Sequence, residues 1–343
     1  MLSICATKYP NARISINPLI RSCDGFIIKA KGVAKSNNKF AGELAHHSGK
    51  KIEYLVTEFR TDGDRRKRIT YRWGDYNGPG GKIYFRPETD KQVSIEVYNG
   101  EKRFDHVRFQ GDPGRVHIFQ KEPENIIGWM LAYENHISKC FGYLEGDIER
   151  LDRILRRAGT GQVSVRDKME DLNGTAHYVI DAKTEHGQYT IWLNPEKGYN
   201  FSKAILAKKT GDLLMGENLD ALGDYTFKSI IRNTDFKKVD GVWVPFKGTA
   251  EMKMKRNRQN RQNESNTALK RDIELTSILI NPDHDALDSF SIDGIRDGAK
   301  ASVIGNGPSG EYVWRDGYVW QDGKVLDADG KIFMDCNTKA KSK

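Results

Sequence analysis

The chain has 343 residues, 38% of them hydrophobic, 10% aromatic and 30% charged, with a mean hydropathy of −0.66. At roughly 150 residues per domain this is a length for about two domains, although curved β folds often exceed about 200 residues as one. The aromatic content excludes a disordered chain, and no apolar run approaches the roughly 18 residues of a membrane-spanning helix. A net charge of +8 admits an anionic partner without requiring one.

The first residues, MLSICATKYPNARISINPLIRSC, contain no unbroken apolar core and no small-residue cleavage site, so no secretory signal is visible. Cys5, Cys23, Cys140 and Cys336 lie far apart, with no CxxC pair and no histidine at ligand spacing. That pattern speaks against a zinc or redox motif and leaves two disulfides and four free thiols equally open.

Turn chemistry then recurs along the chain. Asp24-Gly25, Asp62-Gly63, Asn77-Gly78, Asn99-Gly100, Asn173-Gly174, Asp240-Gly241, Asp316-Gly317 and Asp322-Gly323 suit the type I′ turns of two-residue hairpins. Between them run alternating, β-branched and aromatic stretches. Residues 51–59 (KIEYLVTEF) place Ile52, Tyr54 and Val56 on one face, read as the buried one. Residues 92–98 (QVSIEVY) place Val93, Ile95 and Val97 on one face, and 177–182, 188–193 and 241–246 continue the pattern. Period-2 alternation predicts an antiparallel meander with one buried and one wet face.

Residues 123–158 break the alternation and predict helix. Pro123 and Glu124 form a start signal, Ile126, Ile127, Met130 and Leu131 recur at helical spacing, and Ile148, Leu151, Ile154 and Leu155 repeat it. Arg156 and Arg157 complement the helix dipole, and Gly159 supplies a stop. Residues 253–271 are polar and basic without clear period and are read as a long loop or frayed hairpin. The repeat YVWRDG–YVWQDG predicts a terminal hairpin, two copies being too few for a solenoid. The tail, 339–343, is expected to be disordered.

Enzyme signatures are absent: no HExxH, GxSxG, Walker-type loop or well-placed GxGxxG occurs. His46 and His47, adjacent on a strand, would point to opposite faces and make a poor metal pair. Asp283, His284, Asp285 and Asp288 are rich in oxygen ligands but lack the glycine and terminal glutamate of a calcium loop, so a turn is the better reading. The basic runs at 65–68 and 253–261, the first close to Tyr71 and Trp73, could meet phosphates and bases. No nucleic-acid-binding motif accompanies them, and nucleic acid is not the expected partner. No cofactor and no metal are expected. Trp73, Trp129, Trp192 and Trp243 fall in predicted strands and helix; each alone reads as core, while together they could line an apolar cavity.

Three segments resemble a known family. YNGEKRF (98–104) is similar to a strand, an Asx-Gly turn and an aromatic-ended strand. YTIWLNPEKGY (189–199) is similar to a lipid-face strand followed by an Asx-Pro turn, and FKKVDGVWVP (236–245) to a Val–Asp-Gly–Trp–Pro strand pair. Together they resemble the LolA/LolB-like family of periplasmic lipoprotein carriers, in particular its divergent outer-membrane lipoprotein-sorting members, over residues 40–300.

The resemblance implies a mainly β (α+β) fold: a curved antiparallel sheet or incomplete β-barrel whose concave apolar face is covered by helices. It implies an N-terminal segment (1–39), a half-barrel (40–300) with a helical lid at 123–158, and a C-terminal hairpin with a basic tail (301–343). The expected ligand-binding residues are Trp73, Phe85, Ile95, Val97, Trp129, Met130, Trp192 and Trp243. Arg86, in IYFRP, matches the family's lid-holding arginine. The function expected is non-enzymatic: a monomeric carrier that shields acyl chains of a lipid or acylated lipoprotein, in the periplasm or cell envelope, with a membrane-associated donor or acceptor. The alternatives are a β-rich cell-envelope scaffold without ligand, a nucleic-acid binder using the basic patches, and an enzyme acting on a polymer through carboxylates such as Asp62 and Glu96.

Overall fold

The computed structural model describes residues 25–40, 48–62, 65–78, 81–85, 91–109, 111–119, 142–158, 161–218, 224–257, 265–304, 312–321, 324–326 and 332–335. All four cysteines, His46, His47, and residues 123–141 of the expected lid lie outside them.

Strands dominate. The N-terminal meander comprises β1 (Phe26–Phe40), β2 (Gly49–Thr61), β3 (Arg66–Gly78), β4 (Gly81–Phe85), β5 (Gln92–Tyr98), β6 (Arg103–Arg108) and β7 (Arg115–Phe119). After the helix α1 (Leu151–Arg157) follow β8 (Val163–Val165), β9 (Glu170–Leu172), β10 (Thr175–Thr184), β11 (Gly187–Asn194) and β12 (Asn200–Lys209). A small hairpin of β13 (Leu213–Leu214) and β14 (Glu217–Asn218) precedes three long strands, β15 (Asp224–Val239), β16 (Val242–Asn257) and β17 (Ser265–Ile280). Last come β18 (Lys300–Ile304), β19 (Tyr312–Arg315), β20 (Tyr318–Gln321), β21 (Lys324–Leu326) and β22 (Ile332–Asp335).

The sheet runs in space from β10 through β11, β12, β15, β16 and β17 to β1, β2 and β3, then through β5, β6 and β7 to β18–β22. Neighbours are antiparallel except β7 and β18, which are parallel. Among the described strands no pairing joins the two ends, so this is a large curved sheet not closed into a barrel. The expected segment boundaries at 39/40 and 300/301 both fall inside strands, β1 and β18.

The turn reading holds at Asn173-Gly174, Asp240-Gly241 and Asp316-Gly317. At each, both residues have positive φ and the flanking residues pair directly, as in a two-residue type I′ hairpin. The last of these closes the YVWRDG–YVWQDG hairpin. At the end of β11 the Asn194 side chain accepts the Glu196 and Lys197 amides at 2.9 and 3.2 Å and caps a single 3-10 turn.

One expectation is corrected. Residues 142–150 are turns rather than helix, closed by a bridge between Tyr143 and Arg150. Gly142 and Gly146 sit at φ 75° and 91°, a conformation no α-helix contains. Of the loop and hairpin readings of 253–271 the hairpin holds: residues 253–257 and 265–271 are strand and belong to the paired strands β16 and β17.

Three apolar clusters hold the sheet together. Leu144 and the α1 residues Leu151, Ile154 and Leu155 pack with Ile180, Tyr189, Ile191, Leu206 and Phe227 on one face of β10–β15. Phe26, Ile28, Phe59, Tyr143, Phe246 and Leu275 continue that layer beneath β16, β17, β1 and β2. The third cluster, with Val93, Ile95, Val97, Phe104, Val116, Ile118 and Trp314, takes in Ile69 and Tyr71 of β3. Register places Ile69 and Tyr71 on the face opposite Phe59, so the sheet changes the face it buries at β3.

Candidate functional site

On the face opposite α1, the central strands carry two parallel ladders of side chains. Direct cross-strand pairing aligns Trp73, Tyr54, Val33, Asp272 and Thr249 in one ladder, and Val56, Lys31, Glu274 and Lys247 in the next. Alternate residues of a strand face opposite ways. The residues between the ladders, Leu55, Gly32, Ile273 and Gly248, therefore aim at the helix face and leave bare backbone as a floor. The result is a trough of about 490 Å³ crossing β16, β17, β1 and β2, with Trp73 at one end and Thr234 at the other. That volume falls within the roughly 300–1,000 Å³ of small-ligand pockets.

Half of the trough is apolar. Tyr54 and Val56 are 39% and 40% exposed, side by side with half-buried Val33. Tyr54 stacks on Trp73 with ring centroids 6.0 Å apart, and the Lys91 ammonium sits 5.2 Å from the Trp73 ring centre. The other half is an ion ladder: Glu274 meets Lys31 at 3.1 Å and Lys247 at 3.7 Å. The hydrogen bond from Lys31, seconded by the Lys247 charge, holds the Glu274 carboxyl below its usual range. Gly248 has no alternative here, because a Cβ would lie 2.7 Å from the Arg232 carbonyl oxygen, where β15 bulges at 233–235.

Of the expected ligand residues, Trp73 alone among the described side chains lines this trough. Ile95 and Val97 are core residues of the third cluster, 5% and 2% exposed. Trp192 donates its indole N–H to Glu170 at 2.9 Å beneath Lys203, and Trp243 lies under Lys197, 4.2 Å from ring centre to ammonium. These sites are separate and do not form one cavity lining. Phe85 ends β4, but its side chain, like Arg86, Trp129 and Met130, lies outside the described residues.

Sequence reading missed Val33 and misassigned Tyr54 and Val56. These two do share a face with Ile52, but the buried face of β2 is the other one, carrying Leu55, Thr57 and Phe59. The signal was the unbroken apolar triplet Tyr54-Leu55-Val56, which breaks the alternation and marks a strand apolar on both sides.

On the helix face, two ion pairs tie the segment before α1 to the strands. Arg271 of β17 bonds Glu145, and Lys208 of β12 bonds Asp147, with both side chains of the second pair fully inaccessible. Asp147 also accepts the Tyr189 hydroxyl at 2.9 Å, and Lys208 donates to the Leu213 carbonyl at 2.6 Å. Burial, reinforced by the Asp147 charge, pushes the Tyr189 phenol far above its ordinary value. Further along, β3, β5 and β6 bury Arg66 and Arg68 beside Arg103, Glu96 and Asp105. Burial, with the neighbouring Arg103 charge, lowers Arg66 to about 10. Glu96 is engaged by Arg68 and Asp62 by Arg65, so these carboxylates are ion-pair partners in different places rather than a facing pair. Asp283 accepts the Ala286 amide at 2.9 Å and so closes a turn, as its sequence indicates.

No family model matches the chain, and no curated protein matches it. Among solved structures the chain is similar to lipovitellin, in a structure titled for its lipid–protein interactions, at 11% identity and a TM-score of 0.29. That likeness covers 75% of this chain, which spans 26% of the lipovitellin chain. It is also similar to Neisserial surface protein A (7% identity, TM-score 0.15, 73% and 96% of the two chains). A third likeness is to MucB in complex with the periplasmic part of MucA (7%, 0.19, 74% and 94%).

Proposed function

We propose that the protein binds an amphipathic lipid or acylated lipoprotein without transforming it, holding an acyl chain in the trough between the two ladders. The observation that carries this reading is the apolar wall of exposed Tyr54 and Val56 beside half-buried Val33 and Trp73, over a backbone floor. Burying an acyl chain is worth about 0.8 kcal/mol per CH₂, so even a partly covered chain contributes several kcal/mol. Lys31 and Lys247, at the other wall, are placed to meet an anionic headgroup. On this reading the chain is a divergent relative of the LolA/LolB-like carriers, working at the cell envelope. The segment bearing α1 acts as the helical cover of the other face, with Arg271 and Lys208 in the holding role expected of Arg86.

The test is to extract the purified protein with organic solvent and search for lipid by mass spectrometry, then to titrate a fluorescent fatty-acid probe. Val33→Glu and Val56→Glu each place a charge in the trough and should abolish probe binding while the circular dichroism stays unchanged. Absence of lipid together with absence of probe binding refutes the reading. The second reading is a ligand-free scaffold, favoured by one observation: the helix face of β10–β17 is filled by the protein's own Leu144, Leu151, Ile154 and Leu155. It gains from that same negative result.

A further inference from the structure

Beyond the trough, the same face becomes a field of lysines. The next ladder holds Lys35 directly opposite Lys270, followed by Glu251. The one after it holds Lys50, Lys253 and Lys228, the last two directly opposite each other. A third holds Lys39, Lys255 and Lys209. All eight are exposed, and none makes an ion pair among the described residues. The acid interspersed with them, Glu251, is taken by Arg232 at 3.1 Å. These eight lysines equal the whole chain's net charge of +8, so the remaining acids and bases balance.

Directly opposed residues on one face of a sheet have Cβ atoms about 5 Å apart, and like charges there are destabilising. Two such lysine pairs in one patch are a standing electrostatic cost that an anionic partner would remove. Five strand-to-strand steps at about 4.8 Å make the field roughly 24 Å across, and Lys35 to Lys39 gives it about 13 Å along β1. It spreads over six strands rather than along the single line of charges that follows one polyanion strand. Its cations are lysines, point charges without the planar fork that reads individual phosphates. Its border is the exposed Tyr54 and the half-buried Trp73, residue types that settle at the headgroup level of bilayers. A second trough of about 380 Å³, between the first two lysine ladders, offers room at that level.

We infer that this face docks on the surface of an anionic phospholipid bilayer. The inference stands apart from the proposed function, since a protein can dock on a membrane whether or not it carries a chain away. Each lysine at such a surface contributes about fivefold to partitioning, and the attraction weakens as salt screens it.

The experiment is co-sedimentation with vesicles of phosphatidylcholine containing about one third phosphatidylglycerol, against pure phosphatidylcholine, at low and high salt. Binding should require phosphatidylglycerol, fall at least about tenfold at high salt, and fall at least about tenfold in Lys35→Gln/Lys270→Gln/Lys228→Gln/Lys253→Gln. That variant removes two repulsive pairs, so its thermal melt should match or exceed the parent's, which separates lost binding from lost folding. A second quadruple change outside the field, at Lys102 in the β5–β6 turn, Lys168 before β9, Lys300 of β18 and Lys324 of β21, should leave binding within about twofold. Equal binding to neutral vesicles, no binding to either, full binding by the first variant, or tighter binding to an oligonucleotide at the same salt would each overturn the inference.

Discussion

Lys208→Met is the sharpest test of how the segment before α1 is held. Lys208 and Asp147 are both fully inaccessible, and the substitution leaves the Asp147 carboxylate with the Tyr189 hydroxyl but without its cation. Removing one partner of a buried ion pair costs about 3–5 kcal/mol. The Leu213 carbonyl loses its donor as well, worth about 1 kcal/mol or more when the group stays buried. A loss of at least about 4 kcal/mol therefore follows, read from urea denaturation with the slope of the transition held fixed. The double variant Lys208→Met/Asp147→Leu removes both charges and should recover most of that loss, since apolar replacement of a buried pair is often neutral. Hydrogen exchange should show the 142–158 segment loosened in the single variant and restored in the double. A single-variant cost under about 1 kcal/mol, or a double variant no better than the single, would refute the reasoning.

Other expectations follow from separate features. Leu151→Ala empties a fully buried site in the largest cluster and should cost about 2–5 kcal/mol in urea denaturation. Asn173→Val forces a β-branched residue to φ near 57° and should cost about 1–2 kcal/mol, whereas Asn173→Gly should stay within about 1 kcal/mol, both by the same assay. The hydrogen bond from Arg166, then that from Thr190, holds the Asp181 carboxyl below its ordinary value. Its stabilising share is therefore present above the unfolded value near 3.9 and is lost as pH falls through the lower folded value. Asp181→Asn should accordingly flatten the fall of the urea midpoint in the acid range below about pH 4; an unchanged or steeper fall would contradict the assignment.

Much of the β architecture was legible because its signals are local. Asn173-Gly174 and Asp240-Gly241 fix two-residue hairpins through backbone conformation alone, and 92–98 shows the predicted alternation in its buried Val93, Ile95 and Val97. What that alternation cannot reveal is which apolar stripe faces which layer. Ile95 and Val97 support a core on one side of the sheet while Phe59 supports one on the other, because the buried face changes at β3. β17 escaped notice for a related reason: Lys270, Asp272 and Glu274 on its wet face obscure Leu269, Ile273 and Leu275 on the dry one. The helix reading ran too far because apolar spacing continues through 142–150, where two glycines turn the chain. The holding pairs, Arg271 with Glu145 and Lys208 with Asp147, join positions 126 and 61 residues apart, and no local spacing encodes them.

One of the two neighbours of β1, β17, follows it in the chain by more than two hundred residues. During synthesis β1 can pair with β2 as soon as the hairpin emerges, but its other edge stays uncovered until the hairpin series ending in β17 has formed. Closure entropy grows only slowly with loop length, so the delay weighs on the rate of folding more than on its end point. The waiting edge is guarded by Lys29, Lys31, Lys35 and Lys39, charges of the kind that keep an unpaired strand from recruiting a neighbouring chain. Completing the central sheet thus requires a long-range zippering step in which β17 joins the two meanders along one line.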